Sequence, residues 1–269
     1  MDDTTLARLE HENMLGAMSA CIGNAPGSLV RRSGGVVLMA SGLPARFFNQ
    51  VVIEDDRAAT EAIAAAVGEM RERRAPFLVH LRRGADDRFQ PLMERLGLVL
   101  PAGSAPMPGM ALHPIPDSAT PTTATPIPPG HDIRRVDDAT GMNDHLVIGA
   151  LGFGMPEEML RAIVALDTWQ RQGNVVYVGY TDGVPVSSGL GFRTGATIGV
   201  YNIATIESAR RQGLGAAMTE RVAADGMADG CEVAILQASP MGRAVYLRLG
   251  YRTVVDYDEW VEPEPPPAS

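Results

Sequence analysis

The second half of the chain alternates short apolar runs with helical patterns. DIRRV (132–136) reads as a strand, and DDATGMNDHLVIGAL as a helix opening on acidic capping residues. PEEMLRAIVALDTWQ follows as a helix, with Pro156 at its first position and carboxylates in its first turn. NVVYVGYTDGVPVSSGLGFRTGATIGVYNIAT predicts three successive strands, joined at Asp182-Gly183 and around Thr194-Gly195, both good hairpin turns. A helix (about 214–229), the apolar strand CEVAILQA, a helix (about 240–249) and a final strand or two complete a β-α-α-β-β-β-α-β-α-β order. The first half is similar but poorer: VVLMASG and FFNQVVI read as strands, 57–74 as an amphipathic helix, PFLVHLR as a strand and 86–96 as a helix. Met93-Glu-Arg-Leu-Gly97-Leu echoes Tyr246-Leu-Arg-Leu-Gly250-Tyr, each following an apolar strand and ending a helix at glycine.

Between them, residues 100–130 are dense in Pro, Thr, Ala and Gly, which predicts an extended linker that no helix crosses. The expected division is therefore a domain at 1–113, a linker at 114–130, a second domain at 131–261 and a disordered tail at 262–269. The length of 269 residues suits two domains of ordinary size.

Composition narrows the chemistry. All 23 basic residues are arginine, so a P-loop and lysine Schiff-base catalysis are excluded by residue identity. A net charge of −9 argues against nucleic acid as a partner. The polar start MDDTTLARLEHEN lacks the basic-then-apolar form of a secretory signal, and no apolar run is long enough to span a membrane, so the expected location is cytoplasmic, with no membrane partner. Cys21 and Cys231 are too few for a disulfide framework, and the five histidines form no HExxH or close pair, so no metal site is expected.

One stretch demands a ligand. In Arg210-Arg-Gln-Gly213-Leu-Gly215 two glycines stand where a helix begins. A dinucleotide fingerprint would need Gly or Ala at 218, which is Met218, and glycines inside a plain helix start cost about 0.5–1 kcal/mol each. What remains is an anion cradle, in which first-turn amides at the positive end of the helix dipole meet a pyrophosphate and absent Cβ atoms let it approach. Arg210 or Arg211 would add charge.

Strand, Arg-x-x-Gly-x-Gly, helix, strand, helix and Tyr-x-x-x-Gly-Tyr together resemble the GNAT acyl-CoA N-acetyltransferases over about residues 131–260. More loosely, the whole chain is similar to tandem-GNAT proteins, with YNIAT, LQAS and PGMAL fitting that likeness. The resemblance implies an α/β fold of two GNAT-like domains, each a mixed, largely antiparallel sheet flanked by helices, the N-terminal copy degenerate. It implies acetyl-CoA as co-substrate and a small-molecule amine as acceptor, met by direct attack in a monomer or homodimer. Carried over, the backbone of Ile203, Ala204 and Thr205 would pair with the pantetheine arm, and Arg210, Arg211, Gln212, Gly213, Leu214, Gly215 and Ala216 would hold the pyrophosphate. Ser239 would lie on the cofactor where the family often has asparagine, and Gly242 stands where alanine is common. Tyr246 would contact the cofactor and act as general acid, a strand amide near Ile203 or Ala204 would stabilise the oxyanion, and Asn202 or Tyr201 would hold a water acting for the base. No acid lies in GVYNIAT. Glu157, Glu158 and Asp167 border the acceptor side but read as solvated helix residues, and Phe153, Met155 and Tyr201 are the expected acceptor-pocket residues. The first half has EDDRAATEAIAAA where the glycine motif would be, and is expected not to bind the cofactor. A non-catalytic acyl-CoA sensor or scaffold, and an acyltransferase with another donor or acceptor, remain as alternatives.

Overall fold

The computed structural model describes residues 1–116, 128–164 and 174–263. Asp167, most of the Pro/Thr-rich linker and most of the C-terminal tail lie outside the described residues. The chain forms two compact units, one of residues Met1–Ala17 and Gly109–Val254, the other of Met18–Pro108 and Val255–Ser269. Each half of the sequence thus lends segments to the other half's unit, whereas the linker alone suggests a division in chain order.

The first unit begins with helix α1 (Asp3–Ile22), whose residues up to Ala17 belong to it. Asp2 accepts a hydrogen bond from the Thr5 amide at 2.8 Å, capping the helix. The rest runs β5 (Met107–Leu112), β6 (His131–Arg135), α4 (Ala139–Phe153), α5 (Glu157–Ile163), β7 (Val175–Thr181), β8 (Val184–Thr194), β9 (Thr197–Thr205), α6 (Leu214–Ala228), β10 (Val233–Gln237), α7 (Arg243–Arg248) and the start of β11 (Arg252–Val261). Its strands lie in the order β5-β10-β9-β8-β7-β6, antiparallel except for β9 against β10. The expected local chemistry is visible. Asp138 caps α4 by accepting from the Gly141 amide at 2.7 Å, and Asp182 and Gly183, both with positive φ, make the tight turn between β7 and β8. Pro156 stands as the N-cap of α5 rather than inside it.

One face of this sheet carries α6 and α7, packed through Met218, Val222, Ala223 and Tyr246 on Ile198, Val200, Ala234 and Leu236. The other carries α1, through Leu6 and Leu9 on Ala111, Tyr201, Val233 and Ile235, and α4, whose Gly152 lies against Ala204.

The second unit holds β1 (Leu29–Ser33), β2 (Val36–Ala40), β3 (Asn49–Ile53), α2 (Thr60–Glu72), β4 (Leu78–Arg82), α3 (Gln90–Arg95) and most of β11. Its strand order is β1-β2-β3-β4-β11, antiparallel except for β3 against β4. Ile63, Ala66, Val67 and Met70 form the i, i+3, i+4, i+7 stripe that packs α2 on Val36, Leu38, Val51, Val79 and Trp260. The antiparallel, antiparallel, parallel, antiparallel sequence of β1-β2-β3-β4-β11 repeats that of β7-β8-β9-β10-β5 in the first unit. Both units close their sheet with a strand from the opposite half of the chain, and this is why β5 forms in the Pro-dense stretch. Its Met110 and Ala111 are completely buried beside β10.

Candidate active site

Strand β9 is built to open away from β10. Their parallel pairing runs from Val233↔Thr197 to Ile235↔Gly199, yet β9 continues to Thr205 and β10 to Gln237. Just past the parting, Asn202 takes φ 50, and the register against β8 passes from Leu190↔Tyr201 to Ser188↔Ala204. Two residues, Asn202 and Ile203, therefore stand opposite Gly189, and this bulge redirects the backbone at the mouth of the opening. Left-handed φ is tolerated best by asparagine among non-glycine residues, which fits Asn202 to this place.

A short turn leads from β9 into α6. Arg210 is extended at φ −67 and ψ 161, whereas Arg211 and Gly213 are left-handed at φ 66 and 82. An arginine held there costs on the order of 1 kcal/mol, a strain that marks functional loops. The two glycines serve different ends. Gly213 is required by its backbone angle. Gly215 is not: it is helical, and a Cβ added to it would meet Ile203 and Thr205 no closer than 3.8 Å. A Cβ would make only ordinary van der Waals contact there, so the fold itself does not require glycine at this position. The first-turn amides of Leu214, Gly215 and Ala216 have no intrahelical acceptor, and the Ala217 amide is the first to bond back, to the Gly213 carbonyl at 3.0 Å. Arg211 and Gln212 are exposed beside them.

Arg210 is directed elsewhere. Its Nε donates to the Thr205 carbonyl at 3.1 Å and its Nη2 to the Gly152 carbonyl at 3.2 Å, so it ties the end of β9 to α4. Ala204 is buried beneath Gly152, and Ile203 turns to the α6 face. Ser239 is exposed and caps the turn into α7, its Oγ accepting from the Gly242 amide at 3.1 Å. Gly242 itself has a reason: a Cβ there would come within 2.9 Å of the Tyr246 ring.

Tyr246 lies half-buried on the α6/α7 face, edge-on to Tyr251 with ring centroids 6.1 Å apart. Its hydroxyl has no hydrogen-bond partner among the described residues, and burial raises its pKa to about 12. At neutral pH it is a proton donor only.

On the opposite face, the Tyr201 hydroxyl donates to Asn13 Oδ1 at 2.8 Å. Met155 lines a shallow depression of about 510 Å³ with Leu151, Gly154 and Pro156; Phe153, 46% exposed, is not part of its lining. Glu157 is engaged by Arg161, and Glu158 is solvent-exposed. Residues absent from the sequence reading also stand at the opening. Glu10 and Asn13 of α1 are fully buried, and Gln237 at the end of β10 donates from Nε2 to Glu10 Oε1 at 2.5 Å. Their signal in the sequence is faint: Gln237 is the one polar side chain within the apolar run CEVAILQA after its opening glutamate, and Asp2 starts a capped helix.

In the second unit the corresponding positions are closed. β3 ends one residue beyond its last pairing with β4, at Ile53 after Val52↔His80, so no comparable opening forms. The β1–β2 turn occupies the start of α2: the Gly34 carbonyl accepts from the Ala59 amide at 3.2 Å, and the Gly35 carbonyl from the Glu54 amide at 2.8 Å. Met93, fully buried, stands where Tyr246 stands in the first unit. Among the described residues no His, Cys, Asp and Glu side chains are grouped as a metal site would require, and no helix is long and apolar enough to cross a membrane.

Residues 143–237 match the family model of the acetyltransferase (GNAT) domain. No curated protein matches the sequence significantly. Among solved structures, a GCN5-related N-acetyltransferase from Kribbella flavida superposes with a TM-score of 0.68 at 17% identity, over 94% of this chain and 95% of that one. A GCN5-related N-acetyltransferase from Sphaerobacter thermophilus gives 0.61 at 14% identity, over 94% and 92%. A tandem GNAT protein from the clavulanic acid biosynthesis pathway gives 0.59 at 13% identity, over 95% of each chain. Residues 143–237 are thus similar to the acetyltransferase (GNAT) domain family, and the chain shares the fold of these GCN5-related and tandem GNAT proteins along nearly its whole length.

Proposed function

We propose that the chain transfers an acetyl group from acetyl-CoA to a small-molecule amine, by direct attack within a ternary complex, and that only the first unit does so. The observation that carries this reading is Gly215: an unstrained helical glycine with room for a side chain, beside first-turn amides without intrahelical acceptors. That combination fits a pyrophosphate brought close to the helix start. Arg211 and Gln212 flank it, whereas Arg210 contributes by fixing the turn.

Acetyl-CoA supplies the activated thioester carbonyl; the chain's own groups bind and orient it. Backbone groups of Ile203, Ala204 and Thr205, at the edge that β10 leaves, would pair with the pantetheine arm as an added strand would. An amide at the Asn202 bulge would donate to the carbonyl oxygen. Tyr246, protonated at neutral pH, would give its proton to the departing sulfur.

Free-thiol release from acetyl-CoA, measured across a panel of amines, tests the reading. Tyr246→Phe is expected to lower kcat by about a hundredfold or more with little change in acetyl-CoA affinity. Tight CoA binding with no turnover of any amine would favour the sensor alternative.

A further inference from the structure

The acceptor side of the opening is made by helix α1, from the other end of the chain. Tyr201 and Gln237 each lie two residues beyond Gly199↔Ile235, the last pair before β9 and β10 part, and so on the same sheet face as Gly199 and Ile235. That face is the α1 face: Ile235 packs on Leu6, and a Cβ at Gly199 would strike Asn13 Oδ1. Both side chains are held there by one turn of α1, Tyr201 by Asn13 and Gln237 by Glu10. Tyr246 and helix α6, which the proposed pyrophosphate turn leads into, lie on the opposite face. The opening is thus bounded by donor-binding groups on one face and by a buried carboxylate with amide and phenol groups on the other.

We infer that Glu10 is the proton acceptor for the attacking nitrogen, and that its site takes the cationic head of a primary amine. Leu6, Glu10, Asn13, Met14 and Ala17 form one buried stripe of α1, in which a carboxylate is costly to desolvate unless it is hydrogen-bonded. The Gln237 NH2 group supplies such a bond and is itself only half-buried, so it covers Glu10 from the side of the opening. An incoming ammonium replaces that NH2 as donor to the same carboxylate, exchanging one N–H···O bond for another. The remaining step balances: one proton passes from the ammonium to Glu10 and on to solvent, and the neutral nitrogen attacks the thioester carbonyl. The C–N bond forms and the C–S bond breaks. The nitrogen's surplus proton goes to Glu10, sulfur takes one from Tyr246, and Glu10 and Tyr246 reset through solvent. An amine acceptor also suits a chain of net charge −9.

This inference rests on the proposed acetyl transfer, and the experiment separates the two. The full-length protein is assayed by thiol release from acetyl-CoA with ethanolamine, putrescine, tyramine and benzylamine, then compared with Glu10→Gln and Glu10→Asp. Glu10→Gln keeps the volume and the carbonyl that Gln237 bonds, so the fold is retained, as an unchanged melting temperature will show. Its kcat/KM for the best amine is expected to fall by about a hundredfold or more. The native protein is expected to lose kcat/KM toward low pH, and in Glu10→Gln that loss should vanish, a change that a merely structural role would not produce. Calorimetry should show that amine binding to CoA-saturated protein is weakened by about tenfold, the order of one lost charge-assisted contact, with acetyl-CoA affinity unchanged. Glu10→Asp should recover part of the activity and the native pH profile. Native turnover with an unaltered rate and pH profile in Glu10→Gln would overturn the role of Glu10 and leave acetyl transfer standing. A native protein that binds CoA but acetylates none of the amines would overturn both.

Discussion

The two units use the same strand order and end their last helix in the same way, yet treat the start of the preceding helix oppositely. In the first unit the turn before α6 winds through Arg211 and Gly213 and leaves three amides without an intrahelical acceptor. In the second, the turn before α2 is acidic, with Glu54, Asp55 and Asp56, and the Gly34-Gly35 hairpin sits on it with both carbonyls engaged. The difference continues into the proposed proton donor. Leu98 bonds back to Met93 as Tyr251 does to Tyr246, each at 3.0 Å, but the thioether of Met93 has no proton to give. On the proposed reading, one framework would hold an anion where its helix start is left open and exclude it where its own hairpin packs there.

The comparison can be broken most forcefully at Gly215. Gly215→Leu fills the cradle and is expected to weaken acetyl-CoA binding by about a thousandfold, about 4 kcal/mol, with the melting temperature held or raised because the position is helical. Binding that survives this change would place the pyrophosphate elsewhere.

Acid should act next most strongly. His145 on α4 is fully buried, with Nδ1 3.2 Å from the Tyr177 carbonyl, and burial lowers its pKa to about 4. The unfolded chain takes up a proton near pH 6.5 that the folded one accepts only near 4. Stability is therefore complete above pH 6.5 and lost as pH falls through that window, by up to about 3 kcal/mol. Denaturant titrations at pH 7 and pH 4.5 should show this loss, and in His145→Leu the difference should shrink; an unchanged difference would remove His145 as its source.

In the second unit, Gly35→Ala drives a Cβ to within 2.5 Å of the Ala58 amide nitrogen at φ 74. It is expected to cost about 2 kcal/mol while leaving acetyl-CoA affinity untouched, and a change in affinity would implicate this unit in binding. Gly213→Ala is the smallest change, costing about 1 kcal/mol of stability through its φ of 82.

Much of this was legible in the sequence because it rests on local rules. The hairpin at Asp182-Gly183, the Asp138 cap and the Met93/Tyr246 echo all come from turn and cap chemistry spanning a few residues. The glycine pair identified the helix start, but not the separate reasons for Gly213 and Gly215, which depend on one φ angle and one distance. Arg210 was read as a phosphate ligand from its position, and its attachment to the Gly152 carbonyl depends on a helix 58 residues away. Helix α1 was missed for another reason. Its buried stripe contains Glu10 and Asn13, so it lacks the apolar periodicity that marks a core-facing helix. The features that hid the helix are those that face the opening. Strand β5 was hidden by Pro108 and its Pro-rich surroundings, since only a partner strand from the far half makes that stretch a strand.

The central claim is that a cradle for acetyl-CoA exists in one unit and not in the other. Calorimetric titration of acetyl-CoA into the full-length protein tests it most directly. The account predicts one equivalent bound per chain, and none detectable in Gly215→Leu; two equivalents, or one that persists in Gly215→Leu, would contradict it.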